Sequence, residues 1–146
     1  MISAEALTEA RTWIGTPYHH QASVKGVGAD CLGLLRGVWR NLYGDEPEMM
    51  PAYTPDWSET RGVELLQQGA ARHLLQKSLT DAAPGDVLLF RMKGAAVAKH
   101  LGLQSATGAT SKFIHAYSRH GVIENHLSAA WARRVVARFE FPDRRA

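Results

Sequence analysis

The 146-residue chain holds a single cysteine, Cys31, which rules out an internal disulfide and leaves no thiolate set for a structural zinc site. Apolar runs are short, and no stretch is long enough to span a bilayer as a helix. The opening residues Met1-Ile2-Ser3-Ala4-Glu5 lack the basic patch and apolar core of a secretory signal, so synthesis in the cytoplasm without self-directed export is expected. Repeats and low-complexity tracts are missing as well. The length suits one domain, 1–146, able to bury about 68–70% of its unfolded surface.

Net charge is scarce over most of the chain. Residues 1–132 carry 12 basic and 12 acidic side chains, so the formal charge of +3 arises wholly in residues 133–146. There Arg133, Arg134, Arg138, Arg144 and Arg145 face only Glu140 and Asp143. Such an end reads either as a solvated terminus or as a docking surface for an acidic partner. Nucleic acid is not expected, since no recognition motif accompanies the arginines.

What is present is organised around Gly28-Ala29-Asp30-Cys31-Leu32-Gly33-Leu34. Leu32, Leu35, Val38, Trp39 and Leu42 recur at helical spacing, and Gly44 after Tyr43 marks the stop. Gly26, Gly28 and Ala29 read as loop, so Cys31 falls at the helix N-terminus. Amide hydrogens without intrahelical partners and the positive end of the helix dipole gather there, and both favour a thiolate. A cysteine so placed drops from about 8.5 into the range of about 3.5–7.5, especially beside an imidazolium. The plainer alternative is a small buried hydrophobe. Asp30, immediately ahead, suits a helix cap.

Two histidines complete a possible nucleophile site. His100 heads the strand-like run Lys99-His100-Leu101-Gly102-Leu103-Gln104, and His115 sits in Phe113-Ile114-His115-Ala116-Tyr117. A thiol, an imidazole base and a polar group to orient that base are the parts of cysteine catalysis, and only a fold can bring them together. His19-His20 invites a metal, but adjacent side chains diverge and no carboxylate lies at ligand spacing. Neither a metal nor a cofactor is expected.

Asp30-Cys31-Leu32-Gly33-Leu34, Pro84-Gly85-Asp86-Val87-Leu88-Leu89-Phe90, His100-Leu101-Gly102-Leu103 and Ile114-His115-Ala116 together resemble the ordered signature of the NlpC-type cell-wall cysteine peptidases. The likeness spans Gly15 to Tyr117. Gly15-Thr16-Pro17-Tyr18 followed by His20-Gln21 is similar to the phage-tail branch of that family, which gene transfer agents share. Two positions depart from the pattern: Leu32 stands where the cellular enzymes usually carry Ser, and no Gly-Gly follows Tyr18.

The resemblance implies a papain-like fold with Cys31 as nucleophile, His100 as its proton partner and His115 as the orienter of His100. It implies a cleft position for Tyr18, with its hydroxyl near the reacting carbonyl, and a contact of Asp30 with the substrate's free amine. His20 would line the cleft or support its loop. The substrate implied is the peptidoglycan stem peptide, cut beside a D-isoglutamyl residue. The branch implies carriage on a phage-like tail, with tail-tip or baseplate partners and action in the periplasm and cell wall. A structural tail-tip protein with an unused site, or an amidase or acyltransferase on the same scaffold, fits the same residues.

The remaining pattern predicts an α+β architecture, a helical N-terminal half packed on an antiparallel β-sheet. Ser3 to Ile14 reads as a first helix, capped by Ser3, with Ala6, Leu7, Ala10, Trp13 and Ile14 inward and Gly15-Thr16-Pro17 as its end. Residues 45–82 hold none of the motif residues and read as a branch-specific insertion. It begins with a connection punctuated by prolines. A helix follows, capped by Ser58, with Val63, Leu65, Leu66, Ala70, His73, Leu74 and Leu75 on its apolar face. After Ala82-Ala83-Pro84-Gly85 the period changes to two. Strands are expected at 86–90, 98–105, 112–117, 122–125 and 134–141, with turns at 94–96, 107–110 and 119–121. His120 and His126 are expected at the surface.

Overall fold

The structure, a computed structural model, describes residues 1–46, 65–92 and 98–143. Helix α1 runs Ile2–Thr12 and buries Ala6 and Ala10, with Trp13 just beyond it. Two details differ from the sequence expectation. Ser3 lies inside the helix, whose N-cap is Met1. Ile14 is 43% exposed, because the helix stops at Thr12 and the 100° step that would turn Ile14 inward no longer operates.

A two-strand ribbon, β1 (Ser23–Val24) and β2 (Gly28–Ala29), leads into helix α2, Cys31–Tyr43. Leu32, Leu34, Val38 and Leu42 are buried along α2, as a helical stripe requires. Gly44 ends it at φ +93°, where its N–H reaches the Arg40 carbonyl at 2.8 Å. Gly37 lets α1 and α2 approach, since a Cβ there would overlap the Trp13 ring.

Helix α3, Leu65–His73, turns Leu66 and Ala70 inward, and Leu74 follows them. Ser58, Val63 and the turn at 94–96 lie outside the described residues. Leu75 is 51% exposed instead of inward, because it opens strand β3 (Leu75–Lys77), which the periodicity did not reveal.

The other strands fall close to their expected places: β4 (Val87–Arg91), β5 (Ala98–Ala106), β6 (Lys112–Tyr117), β7 (Gly121–His126) and β8 (Val135–Glu140). A short helix, α4 (Ala129–Ala132), precedes β8. The sheet order is β3-β8-β4-β5-β6-β7, and every neighbouring pair is antiparallel. The architecture is α+β.

Strand alternation divides the sheet into two faces. Val87, Leu89, Leu101, Leu103, Ile114, Ala116, Val122 and Phe139 join α1 and α2 in the main core. Leu88, Phe90 and Phe113 form a smaller core on the other face, covered by Met92, Leu127, Trp131 and Val135.

One cluster of charge is interior. Asp86, fully buried, accepts from Arg138 Nη1 at 2.8 Å, from Lys77 Nζ at 3.1 Å and from the Ala83 N–H at 2.9 Å. Arg138 also donates to Gln104 Oε1 at 2.6 Å and to the Leu79 carbonyl at 3.0 Å. Arg138 is therefore not part of a docking surface, since its charge is spent on tying β3, β4, β5 and β8 together. Arg144 and Arg145 lie outside the described residues.

Candidate active site

Helix α2 delivers Cys31 to the surface of the main core. Asp30 caps the helix in extended conformation, its Oδ1 accepting from the Gly33 N–H at 2.7 Å. The other oxygen accepts from the Gln21 N–H at 2.7 Å, and Nδ1 of His20 lies 3.7 Å from it. Asp30 is buried, whereas His20 is exposed. Gly33 permits this closeness, because a Cβ there would strike the Ala22 carbonyl. The segment before the ribbon runs beside β2: Ala29 N–H reaches the Pro17 carbonyl at 3.0 Å and His19 N–H reaches the Ala29 carbonyl at 3.2 Å. That pairing sets Tyr18, half-buried, at the head of α2.

Strand β5 delivers His100. Gln104 bonds through both its N–H and its carbonyl towards the β4 side, at Asp86 and Gly85. Backbone groups alternate sides along a strand, so those of Leu101 point away from β4. On that side the register with β6 includes Leu103↔Ile114 but no pair at Leu101. The Cys31 sulfur faces the backbone of Leu101 on that side, and that of Leu32 and of Cys31 itself, near enough for each to favour the thiolate. Cys31 thus meets β5 one residue beyond His100.

His100 and His115 are joined directly. Nε2 of His100 lies 2.8 Å from Nδ1 of His115, with both side chains buried. Gly102 makes that pairing possible, since a Cβ on it would fall 3.0 Å from the His115 Cβ and 2.9 Å from the Ile114 carbonyl. The far nitrogen of His115, Nε2, lies 2.7 Å from Asn125 Oδ1 on β7. Trp131 of α4 closes the site over both imidazoles, with ring centres 6.0 Å from His100 and 5.2 Å from His115. Tyr117 stacks on His115, and the exposed His120 stacks on Tyr117 at 5.3 Å and 9°. Among the described residues, no three His, Cys, Asp or Glu side chains converge as a metal-holding group.

No family model and no curated protein matches the chain by sequence. Solved structures do match. A Staphylococcus aureus protein of the NLP/P60 family, described as similar to lipoprotein, superposes with a TM-score of 0.63 at 18% identity over 96% of this chain. The chain has the NlpC/P60 fold. NlpC1 from Trichomonas vaginalis matches at a TM-score of 0.64 and 19% identity over 95% of the chain. Ly7917, solved with the hydrolysing product of MDP, matches at 0.59 and 14% over 96%. The chain spans 41% of the Staphylococcus aureus structure, 44% of the Trichomonas one and 62% of Ly7917.

Within this NlpC/P60 fold the electrostatics overturn one expectation. The Cys31 thiol is not depressed; burial, and then the Asp30 carboxylate, push it up to about 12, against the pull of the three backbone groups. The helix terminus is present as expected, but it is outweighed by desolvation and by a like charge one residue away. Tyr18 is likewise pushed up to about 12 by burial, with Cys31 and Asp30 adding to it, so its hydroxyl stays a donor. Burial lowers His100 to about 3, helped by His115, and lowers His115 to about 4. At neutral pH the resting groups are an un-ionised thiol and two neutral imidazoles.

Asn125 and Trp131 were not singled out from the sequence. The signal for Asn125 was available in the period of two. His115 pairs with Ile123, and Asn125 is the next residue on the same face of β7. Trp131 gave no comparable signal, because its four-residue helix carries no periodicity of its own.

Proposed function

We propose that the protein is a thiol hydrolase of the peptide part of peptidoglycan, with Cys31 as nucleophile, His100 as proton partner and His115 as orienter. The observation that carries this reading is the 2.8 Å bond between His100 and His115, on the strand whose next residue, Leu101, is faced by the sulfur of the helix-heading Cys31. Sγ of Cys31 passes its proton to His100 as it attacks the carbonyl, so the thiolate forms only when it is used. The developing oxyanion is received by the Cys31 N–H and the Tyr18 hydroxyl, each such donor being worth about 2.7–4 kcal/mol. The imidazolium returns its proton to the leaving amine, and a thioester remains on Cys31. Water, deprotonated by His100, then attacks the thioester and frees the thiol. The contact of Asp30 with the substrate's free amine is supported by the resemblance of the motifs and by the place of its carboxylate immediately before the nucleophile.

A fold neighbour that holds the hydrolysing product of MDP supports a peptidoglycan-derived substrate. The finer parts of the proposal are cleavage beside a D-isoglutamyl residue and carriage on a phage-like tail, against tail-tip or baseplate proteins, for local wall penetration. What supports them is the resemblance of the motifs, around Gly15-Thr16-Pro17-Tyr18 and His20-Gln21 for the tail. The test is digestion of purified sacculi with the wild type and with Cys31→Ala, followed by mass analysis of the released fragments. New stem-peptide termini from the wild type alone are expected. Cuts between sugar and peptide would instead indicate an amidase. Intact sacculi with both proteins would favour a structural protein with an unused site, the reading to which the high Cys31 thiol and low His100 imidazole lend weight.

A further inference from the structure

The hydrogen bonds behind His100 have a direction. Oδ1 of Asn125 is a carbonyl oxygen and only accepts, so Nε2 of His115, 2.7 Å away, donates and carries the proton. A neutral imidazole has one N–H, which leaves Nδ1 of His115 as an acceptor. Its partner at 2.8 Å, Nε2 of His100, must then donate. Nδ1 of His100 is left with its lone pair, and no described residue bonds to it. We propose that Asn125 is a positioning residue that sets the tautomer of both imidazoles through this one chain and so makes Nδ1 of His100 the atom that takes the Cys31 proton. Were the Asn125 amide reversed, its NH2 would donate, both rings would invert, and Nδ1 of His100 would already hold a hydrogen.

The surroundings leave this task to Asn125. His115 is faced by His100 from β5, by Phe113 and Tyr117 along β6, by Trp131 from α4, and by His120 through the Tyr117 stack. Arg134 lies over the Trp131 ring at 5.7 Å. The acid nearest in sequence to Asn125, Glu124, points to the other face of β7, where it accepts from Ser105 and pairs with Arg11. Among the described residues, no carboxylate bonds to either imidazole. Burial keeps both rings neutral, and a neutral ring has a choice of tautomer that a charged one lacks.

The inference rests on the hydrolase reading for the use of Nδ1, and its test separates the two. Nitrogen-15 NMR of the imidazoles at pH 7 reads the tautomers without any substrate. Wild-type protein should show both rings with the proton on Nε2. Asn125→Leu should give His115 a mixture of tautomers and lower kcat on stem-peptide fragments about tenfold or more, with KM unchanged. Asn125→Asp, which still accepts, should restore the tautomer, and its carboxylate should move protonation of His115 and the acid limb of kcat to higher pH. Wild-type His115 protonated on Nδ1, or a folded Leu variant with unchanged tautomers and kcat, overturns the proposal. The expected tautomers in a protein that leaves sacculi intact support the relay and overturn the hydrolase reading instead.

Discussion

At the scale of the residue, Asp30 does two opposed things. Its carboxylate caps α2 and anchors Gln21, and the same charge raises the Cys31 thiol. The site therefore trades a ready thiolate for a fixed helix start and an anion beside the nucleophile. Asp30→Asn should keep the bond to Gly33, because Asn caps as well as Asp, while the bond from the Gln21 N–H is lost, since the amide NH2 cannot accept it, at a cost of about 1–3 kcal/mol. With the charge removed, the thiol should ionise at lower pH. The measurement is the rate of iodoacetamide alkylation between pH 7 and 10, expected to rise at a lower pH in the variant. Identical profiles would mean that desolvation alone controls Cys31.

At the scale of the element, the site depends on how closely β5 approaches β6. Gly102 sits where the two strands bring His100 and His115 into contact, and a Cβ would press on the Ile114 carbonyl and the His115 Cβ from 2.9 and 3.0 Å. Both are backbone or near-backbone atoms and cannot swing away. Gly102→Ala should therefore spread the strands, with a stability loss of about 1–3 kcal/mol. Loss of the imidazole pair should lower kcat by about a hundredfold, since misplacement by about 1 Å is enough for that. Urea unfolding and kcat measured on the same preparation check both. A variant with full kcat would show that the imidazole bond is not needed.

The Asp86 cluster works between elements in a different way. It holds the edge strand β3, through Lys77, and the loop at Leu79 against β4, β5 and β8. Arg138→Ala leaves a fully buried carboxylate with only Lys77 and one N–H. A loss of about 1–3 kcal/mol is expected, because Asp86 keeps the Lys77 ammonium but loses a charge-assisted bond, and Gln104 Oε1 and the Leu79 carbonyl lose their donor. Thermal or urea unfolding reads it, and a loss below 1 kcal/mol would mean that water replaces Arg138.

For the whole molecule, the two buried imidazoles set an acid limit. Unfolded histidines take up protons near pH 6.5, while His100 and His115 resist until about 3 and about 4. Between those values the unfolded chain binds more protons, so stability is full above about pH 6.5 and falls as the pH falls. Urea midpoints at pH 7.5 and pH 5 should drop further for the wild type than for His100→Gln, which removes one of the two groups. This window lies mostly above the range where carboxylates titrate, so it isolates the histidines. An equal drop in both proteins would show that His100 is not held neutral by the fold.

The sequence by itself determined the longer elements, α1, α2 and the strands β4 to β8, and most of their faces. The stripe of Leu32, Val38 and Leu42 announced α2 with Cys31 at its head, and the change of period after Gly85 announced the strands. Both signals are local, since periods of 3.6 and 2 follow from backbone geometry alone. The candidate trio Cys31, His100 and His115 was legible as residue types in order. Only the tertiary structure decided what surrounds them. That Arg138 is interior, that Leu75 starts an edge strand, and that Asn125 and Trp131 reach the imidazoles depend on partners distant in the chain. The state of Cys31 depends on them most of all. A helix N-terminus can be read from a few neighbouring residues, but the desolvation that outweighs it comes from everything packed around the sulfur.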